Sequence, residues 1–255
     1  MPRWLREFQP LTPSVVFNMF FHYFFCAISG YLLGSIPFGY LLVKLKKKVD
    51  IRTLGSGNIG ATNVARILGL KWGLFCFVLD VIKGFLTTKF IPDIAISVLK
   101  KIDIYLPIWC GTCLKAVESN PTDYMVITGL FTILGHLFPV YIWFKGGKGV
   151  ATALGVFMVI APVSTGIAFV IWLIFFAVLR YISLASIMAS ISLGLTPFFI
   201  DNSCFPNIFF WESDNFIIYA CVITALLVII RHIPNIKRLI AGTEAKVKLW
   251  KKDTR

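Results

Sequence analysis

The segment 50–66, DIRTLGSGNIGATNVAR, combines three glycines with small hydroxyl and amide side chains and carries an arginine near each end. Such a backbone lets successive N–H groups converge on a phosphate, and the N-terminus of a following helix adds partial positive charge. Gly55, Gly57 and Gly60 match the GxGxxG spacing of dinucleotide sites. That fingerprint requires a preceding strand, whereas a lysine cluster precedes it here. We therefore predict an anion cradle, with a flexible loop as the alternative.

A second glycine-rich segment, FKGGKG at 144–149, stands directly before another apolar run. It lacks the order of the P-loop, because no glycine precedes Gly147 by five positions and no Ser or Thr follows Lys148. A glycine-rich turn with two lysines at a membrane surface suits a substrate that has a phosphate head and a lipid tail, since glycines permit close approach. The alternative is that the lysines only extend towards water from a helix end, which accounts for Lys145 better than for GGKG.

A third polar segment, RHIPNIKRL at 231–239, closes the last apolar run. His232 and Asn235 are three residues apart, so they share one face if the helix continues. A histidine at a membrane boundary is also commonly an interfacial residue without a catalytic role. The residue type alone does not decide between a functional and an interfacial role. The segment 180–186, RYISLAS, adds another polar patch that we place on the same side of the membrane.

The elements that must position these segments are membrane helices. Hydrophobic residues make up 58% of the chain and charged residues only 15%, too few to cover a soluble domain of 255 residues. About 20 apolar residues cross a bilayer core. The proline after Ala161 divides the longest run. We therefore predict one all-α, polytopic membrane domain over 1–255 with about seven spans. They lie within 16–43, 73–92, 124–144, 150–179, 182–200 and 215–230, and the run 150–179 holds two spans joined by a tight turn near Pro162.

The orientation of the spans follows from the lysines and arginines. Most of the 25 basic residues fall inside when the N-terminus lies outside and the C-terminus lies in the cytoplasm. The first run is too long for a cleaved signal peptide, and the lysines at 44–48 stop it. Most of the net charge of +13 therefore lies at the cytoplasmic face of the membrane, where it attracts anionic lipids. Nucleic-acid binding is not indicated, because no basic segment belongs to a soluble domain.

These segments together resemble the acyl-phosphate:glycerol-3-phosphate acyltransferase family of bacterial inner membranes. The likeness rests on GSIPFG at 34–39 and on the segments described above, and it extends over most of 30–92 and 124–244. It implies seven spans with a cytoplasmic active site. The implied reaction moves an acyl group from acyl phosphate to the 1-hydroxyl of glycerol 3-phosphate, giving lysophosphatidic acid and phosphate. The resemblance implies no metal, cofactor, acyl-CoA, acyl carrier protein or other obligatory protein partner.

The resemblance also implies functional residues. His232 is implied either as the base for the glycerol hydroxyl or as a donor that positions phosphate; we favour positioning, because an anhydride donor makes the chemistry easy. The remaining residues are implied either to bind the substrate phosphates, through charged side chains or backbone N–H groups, or to assist the acyl transfer. The implied binding residues are Ser56, Gly57, Thr62, Asn63, Arg66, Gly146, Gly147, Lys148 and Gly149, and the implied catalytic residues are Ser186, His232 and Asn235.

The chain departs from the family pattern in an N-terminal extension at 1–20, an extracytoplasmic segment at 93–122 and a basic cytoplasmic tail at 245–255. In an oxidising compartment, Cys110 and Cys113 favour a local disulfide or a bridge to Cys204. Asp80 and Lys83 lie inside a predicted span. The two side chains either neutralise each other as part of helix packing or take part in function, and both interpretations stay open.

An anion transporter would need an inverted repeat, which the sequence lacks. An acyl-CoA acyltransferase would need a His four residues before an Asp, which it also lacks.

Overall fold

The computed structural model describes residues 13–105, 121–199 and 215–247, and every regular element within these ranges is helical. The apolar runs of the sequence become helices because a backbone in lipid must satisfy its hydrogen bonds internally. The α-helices, in chain order, are α1 (Pro13–Gly34), α2 (Phe38–Lys47), α3 (Ala61–Leu68), α4 (Leu70–Tyr105), α5 (Pro121–Leu137), α6 (Val150–Ile160), α7 (Pro162–Leu179), α8 (Ile182–Leu195), α9 (Asn215–Arg231) and α10 (Ile233–Ile240).

Several of these helices can cross a membrane. Within the described ranges, three stretches are long and apolar enough: Phe20–Lys47, Pro121–Ile142 and Pro162–Leu179. Helices α9 and α10, bent by 56° at their junction, count as a fourth if they form one span. Helices α6 and α8 are apolar but shorter. The chain is thus a multi-pass membrane protein, while the number seven stays a prediction.

The predicted boundaries hold in some places and are wrong in others. The break at Ala161 is confirmed: α6 ends at Ile160, and Pro162 opens α7 at a position where its missing N–H costs nothing. The first span, predicted over 16–43, corresponds to the stretch Phe20–Lys47, but its helix is interrupted, because α1 ends at Gly34 and α2 begins only after Pro37. A proline disfavours helical backbone at the residue before it, which places the break at Ile36.

The second predicted span is too short. Helix α4 continues through Pro92 to Tyr105, so the segment 93–122 begins inside a helix rather than with a loop. Buried Ala95 shows that this extension still packs against the bundle, since it joins Cys26 and Tyr124 in one apolar cluster. The predicted pairings of Cys110, Cys113 and Cys204 lie outside the described residues.

Close helix packing sets the site in place. A Cβ atom at Gly155 would collide with the carbonyl oxygen of Val81, so glycine is what allows α6 to lie directly against α4. Small residues serve this purpose at helix interfaces in membranes. Helix α1 packs mainly on α5, and α8 packs on both α7 and α9. The polar segments that join these helices are therefore held on a rigid bundle.

Candidate active site

The first glycine-rich segment is folded around one buried amide. Asn63, on α3, is 1% exposed, and its Oδ1 accepts a hydrogen bond of 2.9 Å from the backbone N–H of Ser56. Its Nδ2 donates to the carbonyl oxygens of Leu54 at 3.0 Å and Asn58 at 2.8 Å. Asn63 thus closes the loop on itself, which leaves Ser56 and Gly57 exposed at its surface. In this way Asn63 supports this loop from below, and Arg66 is exposed one turn later on α3.

An ion pair ties this loop to the second segment. Arg52 meets the Asp50 carboxylate at 2.6 Å and donates from Nη1 to the carbonyl oxygen of Ile142 at 2.9 Å. The hydrogen bond from Arg52 holds the pKa of Asp50 below its ordinary value. Ile142 ends the short helical turn Val140–Ile142 that precedes the GGKG turn. Two segments that are far apart in sequence are therefore adjacent.

The GGKG turn is fixed from two sides. The backbone N–H of Gly147 donates to the carbonyl oxygen of His136 at 3.0 Å. Arg231, at the end of α9, donates from Nη2 to the carbonyl oxygens of Gly146 at 3.0 Å and Gly147 at 2.9 Å. Because a trans peptide points its N–H opposite to its carbonyl, the N–H of Lys148 points away from Arg231. The turn thus has a carbonyl side, bound to the Arg231 guanidinium, and an amide side, on which the N–H of Lys148 points away from Arg231.

Lys148 begins a chain of hydrogen bonds that runs across the inner end of the bundle. Its Nζ donates to Asn235 Oδ1 at 2.6 Å, and Asn235 Nδ2 donates to Glu244 Oε1 at 2.6 Å. The Glu244 carboxylate also accepts from Ser183 Oγ at 2.7 Å and from Arg238 Nε at 2.6 Å. Bonds to charged groups are the strong ones, so this chain fixes both the lysine and the amide.

Lys148 lies in a strongly cationic environment. Burial lowers the pKa of Lys148 from its ordinary value to about 8; the Glu244 carboxylate raises it, and the charges of Arg238, Arg66 and Arg231 lower it further. Arg66 of the first segment thus adds to the positive potential at Lys148. Four cations and one carboxylate act on this place, which leaves an excess of positive charge suited to a dianion.

His232 lies at the bend between α9 and α10 and is 2% exposed. Its Nδ1 is 2.8 Å from the carbonyl oxygen of Val228. A carbonyl only accepts, so Nδ1 carries the proton of the neutral ring and Nε2 has the lone pair. The helix does not continue smoothly through His232, yet both His232 and Asn235 are buried.

Ser186 lies apart from this chain of hydrogen bonds. Its Oγ accepts from Trp172 Nε1 at 3.2 Å and donates to the carbonyl oxygen of Ile182 at 2.8 Å, so it ties α7 to α8. Its neighbour Ser183, one turn earlier, is the serine that reaches Glu244.

Sequence reasoning gave no role to several residues that shape the site. Glu244 is the acidic centre of the chain and Arg231 holds the turn. A signal for Glu244 existed, since it and Asp253 are the two acidic residues in the strongly basic stretch 231–255. Arg231 had no such signal, because arginine at the inner end of a span is expected from topology alone.

Comparison with known proteins identifies the family. The profile described as "Glycerol-3-phosphate acyltransferase" matches residues 24–242, which is most of the chain. The chain belongs to the glycerol-3-phosphate acyltransferase family. The Aquifex aeolicus (strain VF5) glycerol-3-phosphate acyltransferase is 43% identical over 222 residues, covering 86% of this chain and 96% of that protein. The Endomicrobium trichonymphae glycerol-3-phosphate acyltransferase is 39% identical over 225 residues, covering 88% and 96%.

Solved structures agree with this assignment. A crystal structure of PlsY (YgiH), an integral membrane glycerol 3-phosphate acyltransferase, in its glycerol 3-phosphate form matches with a TM-score of 0.69 and 39% identity, over 89% of this chain and 96% of that one. The lysophosphatidic acid form matches with a TM-score of 0.66 and 37% identity, over 89% and 95%. This glycerol-3-phosphate acyltransferase is therefore an integral membrane enzyme of phospholipid synthesis.

Proposed function

We propose that this acyltransferase moves an acyl group from acyl phosphate to the 1-hydroxyl of glycerol 3-phosphate, giving lysophosphatidic acid and inorganic phosphate. The observation that carries the proposal is the position of Lys148 in a glycine-rich turn, held on Asn235 at 2.6 Å, where the charges of Arg238, Arg66 and Arg231 add to its own. Both substrates are phosphates, and one product is a phosphate. A site with excess positive charge therefore binds what enters and neutralises what leaves.

The phosphate of glycerol 3-phosphate is proposed to bind at the amide side of the GGKG turn. The N–H of Lys148, directed away from Arg231, and the ammonium group of the same residue supply two donors. Gly146 and Gly147 hold the backbone in place, and Gly149 has a positive φ of 82°, a conformation that favours glycine where the turn enters α6. Arg66 is proposed to contribute charge from the opposite side.

The first segment is proposed to complete the phosphate site. Ser56, Gly57 and Thr62 contribute from the surface of the loop, and Asn63 contributes by keeping that loop closed. Ser186 is proposed to help indirectly, by fixing α8 where Ser183 reaches Glu244. These roles differ in kind, because the first three contact substrate and the last two position other groups.

The reaction itself is a direct displacement. The glycerol oxygen attacks the acyl carbonyl carbon and forms the ester C–O bond, while the bond from that carbon to the phosphate oxygen breaks. The electron pair leaves with phosphate, and the hydroxyl proton passes to a base. Because the mixed anhydride already has a good leaving group, no covalent enzyme intermediate is required. The protein mainly aligns two bound substrates, which supplies much of the rate.

His232 is the proposed acceptor of that proton. With its Nδ1–H given to the carbonyl oxygen of Val228, its Nε2 is an acceptor in the neutral ring. An acceptor suits the glycerol hydroxyl, whereas a neutral imidazole in this tautomer offers phosphate no donor. The geometry therefore favours the base role over the phosphate-positioning role that the sequence favoured.

The proposed setting is the inner membrane of a bacterium. A single acyltransferase domain with about seven spans, the N-terminus outside and the C-terminus inside, places the three polar segments at the cytoplasmic ends of the helices. That arrangement agrees with the positive-inside distribution of Lys and Arg. Glycerol 3-phosphate, a soluble dianion, then reaches the site from the cytoplasm, while the acyl chain stays in the bilayer.

A stoichiometry measurement tests the reaction. Purified enzyme in detergent is given palmitoyl phosphate and glycerol 3-phosphate in the presence of a chelator, and lysophosphatidic acid and inorganic phosphate are both quantified. We expect the two products in a one-to-one ratio. Phosphate release without lysophosphatidic acid, or a strict requirement for added metal, would contradict the proposal.

A further inference from the structure

Beneath the GGKG turn lies a buried cluster of three ionisable side chains that the proposed reaction does not use. Asp80 and Lys83 of α4 are 2% and 6% exposed, and His136 of α5 is 5% exposed. Lys83 Nζ is 3.0 Å from Asp80 Oδ1, and His136 Nδ1 is 3.5 Å from the same oxygen. Charged side chains inside a membrane helix are costly to bury, so a cluster of this kind needs a reason.

The Lys83 ammonium contacts three different elements. Besides its ion pair with the Asp80 carboxylate, Nζ donates to the carbonyl oxygen of Ile36 at 3.0 Å, in the break between α1 and α2. It also lies 3.2 Å from His136 Nδ1. The Phe38 ring stands 5.5 Å below it as a further cation contact. Lys83 therefore has partners on α4, on α5 and in the break between α1 and α2, and the Asp80 carboxylate balances its charge.

The His136 ring lies between this cluster and the GGKG turn. Its Nδ1 faces both the Lys83 ammonium at 3.2 Å and the Asp80 carboxylate at 3.5 Å. Nε2 points at Gly147: a Cβ atom added to Gly147 would collide with Nε2 and would lie 2.9 Å from Cδ2 of the same ring. The His136 ring is therefore the floor of the turn, and Gly147 is glycine because the imidazole occupies the space of a side chain.

The same histidine also holds the backbone of the turn. Its carbonyl oxygen accepts from the N–H of Gly147 at 3.0 Å, while Arg231 takes the carbonyl oxygens on the other side. The peptide that follows carries the N–H of Lys148. The direction of that N–H thus depends on where His136 stands, and His136 stands where Lys83 and Asp80 hold it.

From this geometry we infer that Asp80, Lys83 and His136 form a positioning cluster that sets the phosphate-binding face of the GGKG turn. The inference rests on the proposed function in one respect, that this turn receives the phosphate of glycerol 3-phosphate. The cluster acts through the turn and does not touch substrate. Its loss should weaken the binding of glycerol 3-phosphate and leave turnover at saturation largely unchanged.

Two variants separate positioning from folding. Asp80→Asn with Lys83→Met removes both charges together, so that no uncompensated charge stays buried, which is what makes single removals so destabilising. His136→Asn keeps an acceptor near the Nδ1 position for Lys83 but empties the floor under Gly147. Lys89→Met, an exposed lysine on the same helix, is the matched control.

The readouts are the melting temperature, the Kd for glycerol 3-phosphate by titration calorimetry, and the KM and kcat of acyl transfer. For each variant we expect Kd and KM to rise about tenfold or more with kcat within about threefold, the pattern of lost ground-state binding. Lys89→Met should match the wild type. If the double variant does not fold, His136→Asn alone tests the positioning role, because its side-chain amide still offers Lys83 a hydrogen-bond acceptor.

Folded variants with wild-type Kd and KM would overturn the inference and make the cluster a packing feature. A fall in kcat with unchanged KM would overturn it as well, because the cluster would then act elsewhere. Calorimetry does not depend on the acyl donor. Wild-type protein that binds glycerol 3-phosphate but makes no lysophosphatidic acid would therefore refute the proposed donor alone, and the variants would still be judged by their Kd.

Discussion

Lys148 Nζ lies 2.6 Å from Asn235 Oδ1, a contact that joins the glycine-rich turn before α6 to α10 across 87 residues of sequence. The amide orientation is not free, because Asn235 Nδ2 donates to the Glu244 carboxylate at 2.6 Å. Asn235 therefore has to present oxygen to the lysine. The contact sets where the ammonium charge stands before substrate arrives.

Replacing the lysine should remove that charge from the phosphate site. We expect Lys148→Ala to lower kcat/KM about a hundredfold or more, the usual cost of one preorganised contact to a reacting phosphate or oxyanion. The control is Lys145→Ala, which removes an exposed lysine from the same turn. Steady-state kinetics with glycerol 3-phosphate as the varied substrate measures the effect.

The control variant should keep near-wild-type activity, and both variants should melt near the wild-type temperature. Equal losses in Lys145→Ala and Lys148→Ala would indicate a general requirement for surface charge. A well-folded Lys148→Ala enzyme with normal kcat/KM would move the phosphate site away from the GGKG turn.

The lowered pKa of Lys148 predicts a pH dependence of substrate binding. Because its pKa is about 8, the Lys148 side chain loses its charge at pH values at which an ordinary lysine, with a pKa of 10.5, is still charged. We expect the KM for glycerol 3-phosphate to rise about tenfold between pH 7 and pH 9.5 as the charged fraction falls. Lys148→Arg should abolish this rise, since a guanidinium stays charged throughout.

The same shift has a defined sign for stability. A lysine whose pKa is lower in the folded protein disfavours folding below that pKa, and this penalty disappears as pH rises towards the ordinary value of 10.5. Raising the pH should therefore not lower the melting temperature through Lys148. A KM that rises in step with a falling melting temperature would contradict the assignment to this residue.

Much of the fold could be predicted because apolar length and proline position are read directly from sequence. The break between α6 and α7 follows from Pro162 alone. The break after Gly34 was missed although Pro37 marks it, because the surrounding residues are apolar enough to hide it in a hydropathy profile. The extension of α4 past Pro92 was missed because a proline within a membrane helix is tolerated when neighbours satisfy the freed backbone groups.

The site was predictable as a set of segments but not as contacts. Phosphate chemistry indicated Lys148, and the family resemblance implied Asn235. Their pairing depends on the bend at His232, which sequence periodicity does not contain. Asp80 and Lys83 were noticed as a pair, yet their partner His136 comes from another helix, and only the packing of α4 on α5 brings it within 3.2 Å of Lys83.

His232 should affect turnover more than binding if it accepts the proton. We expect His232→Ala and His232→Gln both to lower kcat about a hundredfold or more, within the range of a lost general base, with little change in KM. Glutamine keeps a polar acceptor near the Nε2 position but is not basic. A rapid-mixing or initial-rate assay at saturating substrate measures kcat.

A raised KM with substantial kcat in both variants would contradict the base role and restore the positioning role. Recovery of kcat by His232→Gln alone would also contradict it, because a hydrogen-bond acceptor without basicity would then suffice. Circular dichroism and melting temperature serve as the control for folding.

The proposed topology can be checked by chemical labelling. Single cysteines at Phe8→Cys and Trp250→Cys, both outside the described residues, should react with an impermeant thiol reagent from opposite sides of the membrane. The positive-inside distribution is the physical reason. Sealed inner-membrane vesicles and intact spheroplasts give the two orientations. Labelling of both positions from the same side would refute an odd number of spans.

The most direct test of the account is a competition between acyl donors within one reaction. Purified enzyme is given glycerol 3-phosphate with equal amounts of deuterated palmitoyl phosphate and unlabelled palmitoyl-CoA, in the presence of a chelator. Mass spectrometry then measures the label in lysophosphatidic acid. We expect essentially all of the product to be deuterated, because the proposed reaction releases inorganic phosphate, which the cationic groups around Lys148 would neutralise. Product that is mainly unlabelled would contradict the account.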